Sequence, residues 1–170
     1  MRRFLGLAAP PEFAREVQAW QRSLSHVITA PHITLKAPGG LTDDLAWLPQ
    51  VQQACARFSP LVVTLSGVRT FGKRVIYLGV RGERLPDLHR ALLAAVSPAR
   101  RLAHEGEGYT PHLTIVLTDA PLGVPFGEAL ELARRTFTAP VSFTADSVRL
   151  YRKPIPGTPY QPERDFPLGP

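Results

Sequence analysis

The sequence predicts an α+β fold, and three observations predict it. Stretches of period-two alternation and stretches of helical spacing follow one another as β-α-β-α-β-β-α-β-α-β-β. A five-residue stretch occurs twice, as Pro31-His32-Ile33-Thr34-Leu35 and as Pro111-His112-Leu113-Thr114-Ile115, so two parts of the chain carry matched strands. The 170 residues, 44% apolar and 20% charged, suffice for a real core. The expectation is one domain over residues 1–170, built as two intertwined lobes.

Arg3 to Ala8 reads as the first strand, and Pro10-Pro11 as the turn into a helix, where a missing N–H costs little. Phe13, Val17, Trp20 and Leu24 recur at helical spacing and give that helix one apolar face. His26 falls in the connection and is expected to be exposed. The first motif strand spans Thr29 to Lys36, and Pro38-Gly39-Gly40 ends it. A second helix starts at Thr42 or Asp43, both good caps, and runs to Phe58, with Pro49 kinking or dividing it. Leu61 to Val68 and Val75 to Val80 read as a hairpin around a turn at residues 69–73.

Leu85, Leu88, Leu92 and Val96 mark a third helix stopped by Pro98, with His89 beside its stripe as a packing or solvated residue. Arg100 to Gly108 reads as a mobile loop, and its His104 has no motif around it and stays outside the site. His112 to Leu117 is the second motif strand. Glu128 to Phe137 is a fourth helix, and Pro140 to Tyr151 one long strand. The tail holds six prolines, yet Tyr160, Phe166 and Leu168 suit burial, so an ordered strand is expected after a turn at Pro156-Gly157.

Charge and cysteine content narrow the function classes. The net charge is +6 and the sequence pI about 10.1. Seventeen of the twenty basic residues are arginine, which suits either a polyanionic partner such as RNA or a general compositional preference. A lone cysteine, Cys55, excludes an intrachain disulfide and fits a reducing compartment. The N-terminus lacks a convincing signal peptide, and no stretch approaches the ~20 apolar residues of a membrane span. A cytoplasmic location, with no membrane partner and a monomeric state, is the expectation.

The chemistry lies in the repeat. Side chains alternate across a strand, so His32 and Thr34 share the face opposite Ile33 and Leu35, and His112 and Thr114 the face opposite Leu113 and Ile115. Two such strands facing each other would present two imidazoles and two hydroxyls to one cleft. One imidazole can take a proton while the other gives one. A Thr hydroxyl can donate to a non-bridging phosphate oxygen and stabilise charge growing there. Neither metal, cofactor nor side-chain nucleophile is required, and the clustered ligands of a metal hydrolase are not evident.

These two His-x-Thr-aliphatic motifs, 80 residues apart, resemble the 2H phosphoesterase family, which includes the RNA 2′,3′-cyclic phosphodiesterases also called 2′-5′ RNA ligases. The resemblance covers nearly the whole chain. It implies two mainly antiparallel sheets with outer helices around a central cleft, related by a pseudo-two-fold axis. It implies a metal-independent phosphodiesterase that opens 2′,3′-cyclic phosphates of RNA ends or nucleotides, to 2′-phosphates, with reverse 2′-5′ ligation possible in principle. His32, Thr34, His112 and Thr114 are the catalytic candidates.

Two further residues are substrate-binding candidates. Lys36 lies two positions beyond Thr34 and, if the strand continues regularly, adds a positive charge to the cleft. Tyr109, three residues before the second motif, could stack on a base or a ribose. Arg69, Lys73, Arg74, Arg152 and Lys153 are candidates for a basic rim. Some family members carry a basic residue after the second motif, where this chain has Val116-Leu117. That departure keeps open a small cyclic nucleotide phosphate as substrate, and a non-catalytic nucleotide- or RNA-binding module is the reading from another class.

Overall fold

A computed structural model describes residues 1–39, 41–96 and 102–169. Pro98 and the start of the expected loop at Arg100 lie outside them. The elements are β1 (Arg2–Ala8), α1 (Pro11–Ser23), β2 (His32–Lys36), α2 (Leu48–Ala56), β3 (Leu61–Phe71), β4 (Val75–Arg81), α3 (Leu85–Ala95), a 3-10 turn (Gly106–Gly108), β5 (His112–Leu117), α4 (Phe126–Thr136), β6 (Val141–Ala145), β7 (Ser147–Lys153) and β8 (Gln161–Pro167).

The eight strands hydrogen-bond in the order β6-β3-β4-β5-β2-β1-β7-β8, every described pairing antiparallel. The two expected sheets are thus the four-stranded halves of one curled sheet. Among the described residues they are joined where β2 and β5 pair at Ile33 and Leu113, the middle of the two motifs. The expected strand from Pro140 to Tyr151 breaks at Asp146. Its first part pairs with β3 in one half and its second with β1 and β8 in the other, so the chain crosses between halves there. The Pro-rich tail supplies the ordered edge strand β8, seated by buried Phe166 and Leu168.

One face of the sheet carries the core. Leu5, Leu7, Ile33, Leu35, Leu113 and Ile115 are all nearly inaccessible there. The helices cover that face in an interleaved way: α1 and α4 contact β5 and β3, whereas α2 and α3 contact β8 and β2. Prolines set the helix starts. Pro11 is the first residue of α1, and Pro49 and Pro86 fall in the first turns of α2 and α3, where no N–H is required. Pro49 therefore opens α2 instead of kinking it. The stretch before it is a turn in which Asp44 accepts from the Thr42 hydroxyl and the Ala46 N–H. His26, expected in solvent, is 1% exposed. Its Nδ1 donates to the Pro121 carbonyl and its Nε2 accepts the Leu117 N–H, so it ties α1 to the end of β5.

Candidate active site

Both motif strands carry the same irregularity. The register between β1 and β2 jumps from Gly6–Thr34 to Leu5–Lys36, leaving Leu35 as an extra residue. The register between β4 and β5 jumps from Tyr77–Thr114 to Ile76–Val116, leaving Ile115 extra at the matching motif position. Such a bulge reverses the inside-outside alternation beyond it. Residues Leu35-Lys36 and Ile115-Val116 are accordingly consecutive buried pairs. Each bulged carbonyl is capped by a buried side chain from the helix beneath: Leu35 by His89 Nδ1 at 2.6 Å and Ile115 by Gln21 Nε2 at 2.9 Å.

Upstream of the bulges the alternation holds, and His32, Thr34, His112 and Thr114 lie opposite the core. The imidazoles are held alike. His32 Nδ1 donates to the Ala30 carbonyl at 2.7 Å, and His112 Nδ1 to the Thr110 carbonyl at 2.8 Å. A carbonyl oxygen can only accept, so in the neutral ring Nδ1 carries the proton and Nε2 keeps its lone pair. Among the described residues neither Thr34 nor Thr114 spends its hydroxyl on a side-chain hydrogen bond.

Each imidazole also sits against two aromatic rings. Phe4 and Tyr151, stacked on one another at 4.5 Å, flank His32 at 4.6 and 5.4 Å between ring centroids. Phe71 and Tyr77, stacked at 4.2 Å, flank His112 at 5.0 and 5.4 Å. Sequence reading missed these four rings. The only available signal was their position on alternating strands, since cross-strand register brings Phe4 opposite Tyr151. Burial lowers the pKa of His32 to about 4, against the effect of the Ala30 carbonyl, with a further lowering from His112. Burial lowers that of His112 too, opposed by the Thr110 carbonyl and aided by His104.

Two adjoining cavities form the cleft. One, of about 460 Å³, is lined by His112, Thr34, Phe71, His104 and Tyr109 among others. The second, of about 210 Å³, is lined by His32, Thr34, Thr114, Phe4 and Tyr160 among others. Thr34 and Pro38 border both, so all four motif side chains open onto one depression. His104, left out of the site on sequence, stands on its wall.

Lys36 does not meet its expectation as a phosphate contact. The bulge turns it to the core side, where it is 1% exposed. Its three N–H donors go to Glu105 Oε1 at 2.8 Å and to the carbonyls of Gly39 and Ala37 at 2.9 and 3.1 Å. Burial disfavours the Glu105 carboxylate, yet the Lys36 ammonium and the N–H groups of Leu102 and Ala37 hold its pKa below the usual range. The pair fastens the segment carrying His104 to the end of β2. Tyr109 lines the larger cavity, but its ring stacks on His89 at 3.8 Å and its hydroxyl donates to the Thr34 carbonyl. Of the expected basic rim, Arg74 pairs with Asp119, Lys153 lies over the Tyr160 ring, and Arg69 stands beside Tyr77 on the His112 face.

The curled eight-stranded antiparallel sheet with its four helices is the LigT-like 2H phosphoesterase fold. The chain belongs to the 2′-5′ RNA ligase superfamily, whose family model matches residues 9–154. No curated protein matches the sequence. Among solved structures, TT0787 of Thermus thermophilus is similar at a TM-score of 0.70 and 20% identity, over 99% of this chain and 98% of that one. E. coli LigT complexed with NADP+ is similar at a TM-score of 0.66 and 18% identity, over 98% of this chain and 97% of that one. LigT complexed with 3′-AMP aligns at a TM-score of 0.63 and 19% identity, again over 98% and 97%.

Proposed function

We propose that the protein is a metal-independent phosphodiesterase that opens 2′,3′-cyclic phosphates of RNA ends or nucleotides by two-histidine acid-base catalysis. The observation that carries this reading is the matched tethering of His32 and His112, each from Nδ1 to the carbonyl two residues upstream. That geometry leaves two free Nε2 atoms, one from each half of the sheet, on the cleft where Thr34 and Thr114 can donate to a phosphate. The superfamily match and the nucleotide ligands of E. coli LigT support a nucleotide phosphate as substrate.

Burial lowers both imidazoles, and we assign the roles with the more strongly lowered His32 as base. His32, with a pKa of about 4, stays neutral at physiological pH and is the base. His112 is the acid. Water attacks phosphorus, His32 Nε2 takes its proton, the P–O3′ bond breaks, and His112 Nε2–H protonates the departing O3′. The product is a 2′-phosphate, the regiochemistry of the family's RNA enzymes. In reverse, a 5′-hydroxyl in place of water would yield a 2′-5′ bond.

The test is turnover of 2′,3′-cyclic nucleotides in EDTA by wild type, His32→Ala and His112→Ala, with the product isomer separated by chromatography. A loss of roughly 100-fold or more in each variant is expected. Wild-type inactivity on both cyclic nucleotides and cyclic-phosphate RNA would overturn the reading in favour of a binding module. A second reading, a small cyclic nucleotide phosphate as the sole substrate, draws on the apolar Val116 and Leu117 after the second motif. Val116 is buried, so only Leu117 borders the cleft.

A further inference from the structure

Beside His112 the cleft continues into a groove of about 230 Å³, lined by Ser66, Arg69, Tyr77, Gly79, Arg81 and Thr110 among others. Thr110 borders both spaces, and its carbonyl is the one that tethers His112. Register places the groove on the catalytic face. Gly79 pairs directly with His112 on one side and with Ser66 on the other; Tyr77 pairs with Thr114 and with Arg69; Arg81 pairs with Thr64.

Arg69 reaches this face through a third bulge. Leu65 is a core residue, and unbroken alternation would send Gly67 and Arg69 to the core side as well. The register shifts between Ser66 and Val68, with Gly67 at φ +75°, and this turns Arg69 and Phe71 to the His112 face. The floor beneath Arg69 is bare. A Cβ on Gly79 would stand 3.5 Å from Arg69 Nε and 2.8 Å from the Ser66 carbonyl. Among the described residues Arg69 and Arg81 contact no carboxylate, as is also true of Arg2, Arg15, Arg22, Arg57, Arg135, Arg152 and Arg164, but these two line the groove. Two unpaired guanidiniums over a groove with a hydroxyl and a bare backbone suit a phosphodiester.

We infer that the Arg69–Arg81 groove binds the phosphodiester on the 5′ side of the terminal nucleotide, so that the enzyme acts on RNA ends in preference to cyclic mononucleotides. The inference rests on the reading of the His32–His112 cleft as the reaction centre. It supplies, from β3 and β4, the positive charge that the segment after the second motif lacks.

The experiment compares kcat/KM for 2′,3′-cyclic AMP with that for a five-nucleotide RNA ending in a 2′,3′-cyclic phosphate, in wild type and in the Arg69→Ala/Arg81→Ala variant. Wild type is expected to prefer the RNA, and the variant to lose about 10-fold or more of that preference. The salt dependence for RNA should become shallower by about 0.7 in log-log slope for each phosphate that is no longer neutralised. Equal wild-type rates on the two substrates, or an unchanged preference in the variant, would overturn the inference while leaving the reaction centre intact. If wild type turns over neither substrate, the reaction reading fails, and the groove is then judged by fluorescence anisotropy with a labelled five-nucleotide RNA bearing a 3′-phosphate. A weakening of about 10-fold or more in the variant would uphold the groove as a phosphodiester site, and equal affinity would overturn it.

Discussion

His89 Nδ1 donates to the Leu35 carbonyl, and in the other half Gln21 Nε2 donates to the Ile115 carbonyl, the same motif position. Two different side chains on two different helices thus solve one problem, the orphaned carbonyl that a bulge leaves on the buried face. His89 does more than its counterpart, because its Nε2 accepts the Gly106 N–H and so holds the segment that carries His104 and Glu105.

Gln21→Met keeps the volume and removes the donor. An unsatisfied buried carbonyl costs about 1–3 kcal/mol. Urea denaturation should show a loss of that size, with kcat falling less than in His112→Ala. His89→Ala should cost more, since it also opens a cavity and frees Gly106. A Gln21→Met midpoint equal to wild type would mean that the bulged carbonyl is satisfied in another way.

The Lys36–Glu105 pair is fully buried, so removing one partner strands the other. Lys36→Met alone should destabilise by about 3–5 kcal/mol, while Lys36→Met with Glu105→Gln should recover part of it. A double-mutant cycle in urea measures the coupling. The folded-state pKa of Glu105 is depressed, so this contribution is present above its unfolded value and is lost as pH falls through the folded value. The wild-type excess over Lys36→Met should therefore shrink in acid.

The pH dependence of kcat/KM reports the free enzyme. The proposed mechanism needs His32 neutral and His112 protonated. The acid limb should fall near pH 4 with His32, and the basic limb below pH 6.5 with His112, whose pKa is also lowered. The expected profile is a bell with its maximum on the acid side of pH 6.5. A maximum above pH 7 would rule out two depressed imidazoles as the acid and base. Phe4→Leu opens the His32 ring to water and should move the acid limb upward, a shift that NMR titration of the imidazole would also show.

The same depression enters stability. Between about pH 4 and 6.5 the unfolded chain binds a proton at residue 32 that the folded chain does not, so stability falls as pH drops through that window. At most about 3 kcal/mol is involved. In His32→Asn the denaturation midpoint should depend less on pH there, and an unchanged slope would show that His32 titrates normally.

The α+β class, the pairing of the two motifs and the faces of His32, Thr34, His112 and Thr114 were legible in the sequence. They depend on local physics: period-two alternation, proline at the strand starts, and a repeat close enough to see. Even the tail strand was readable, because Phe166 and Leu168 had to be buried somewhere. Lys36 and the long strand after Pro140 were misread for one shared reason. Each lies beyond an interruption of alternation, at Leu35 and at Asp146, and one inserted residue reverses every later side chain.

Alternation and repetition along the chain determined which residues could meet at one cleft. The tertiary structure alone decided what surrounds them: the aromatic pairs that desolvate each imidazole, the helix side chains that cap the bulges, and the groove of Arg69 and Arg81. Those neighbours come from strands and helices distant in sequence, and strand register and bulge position depend on partners that a single segment does not contain.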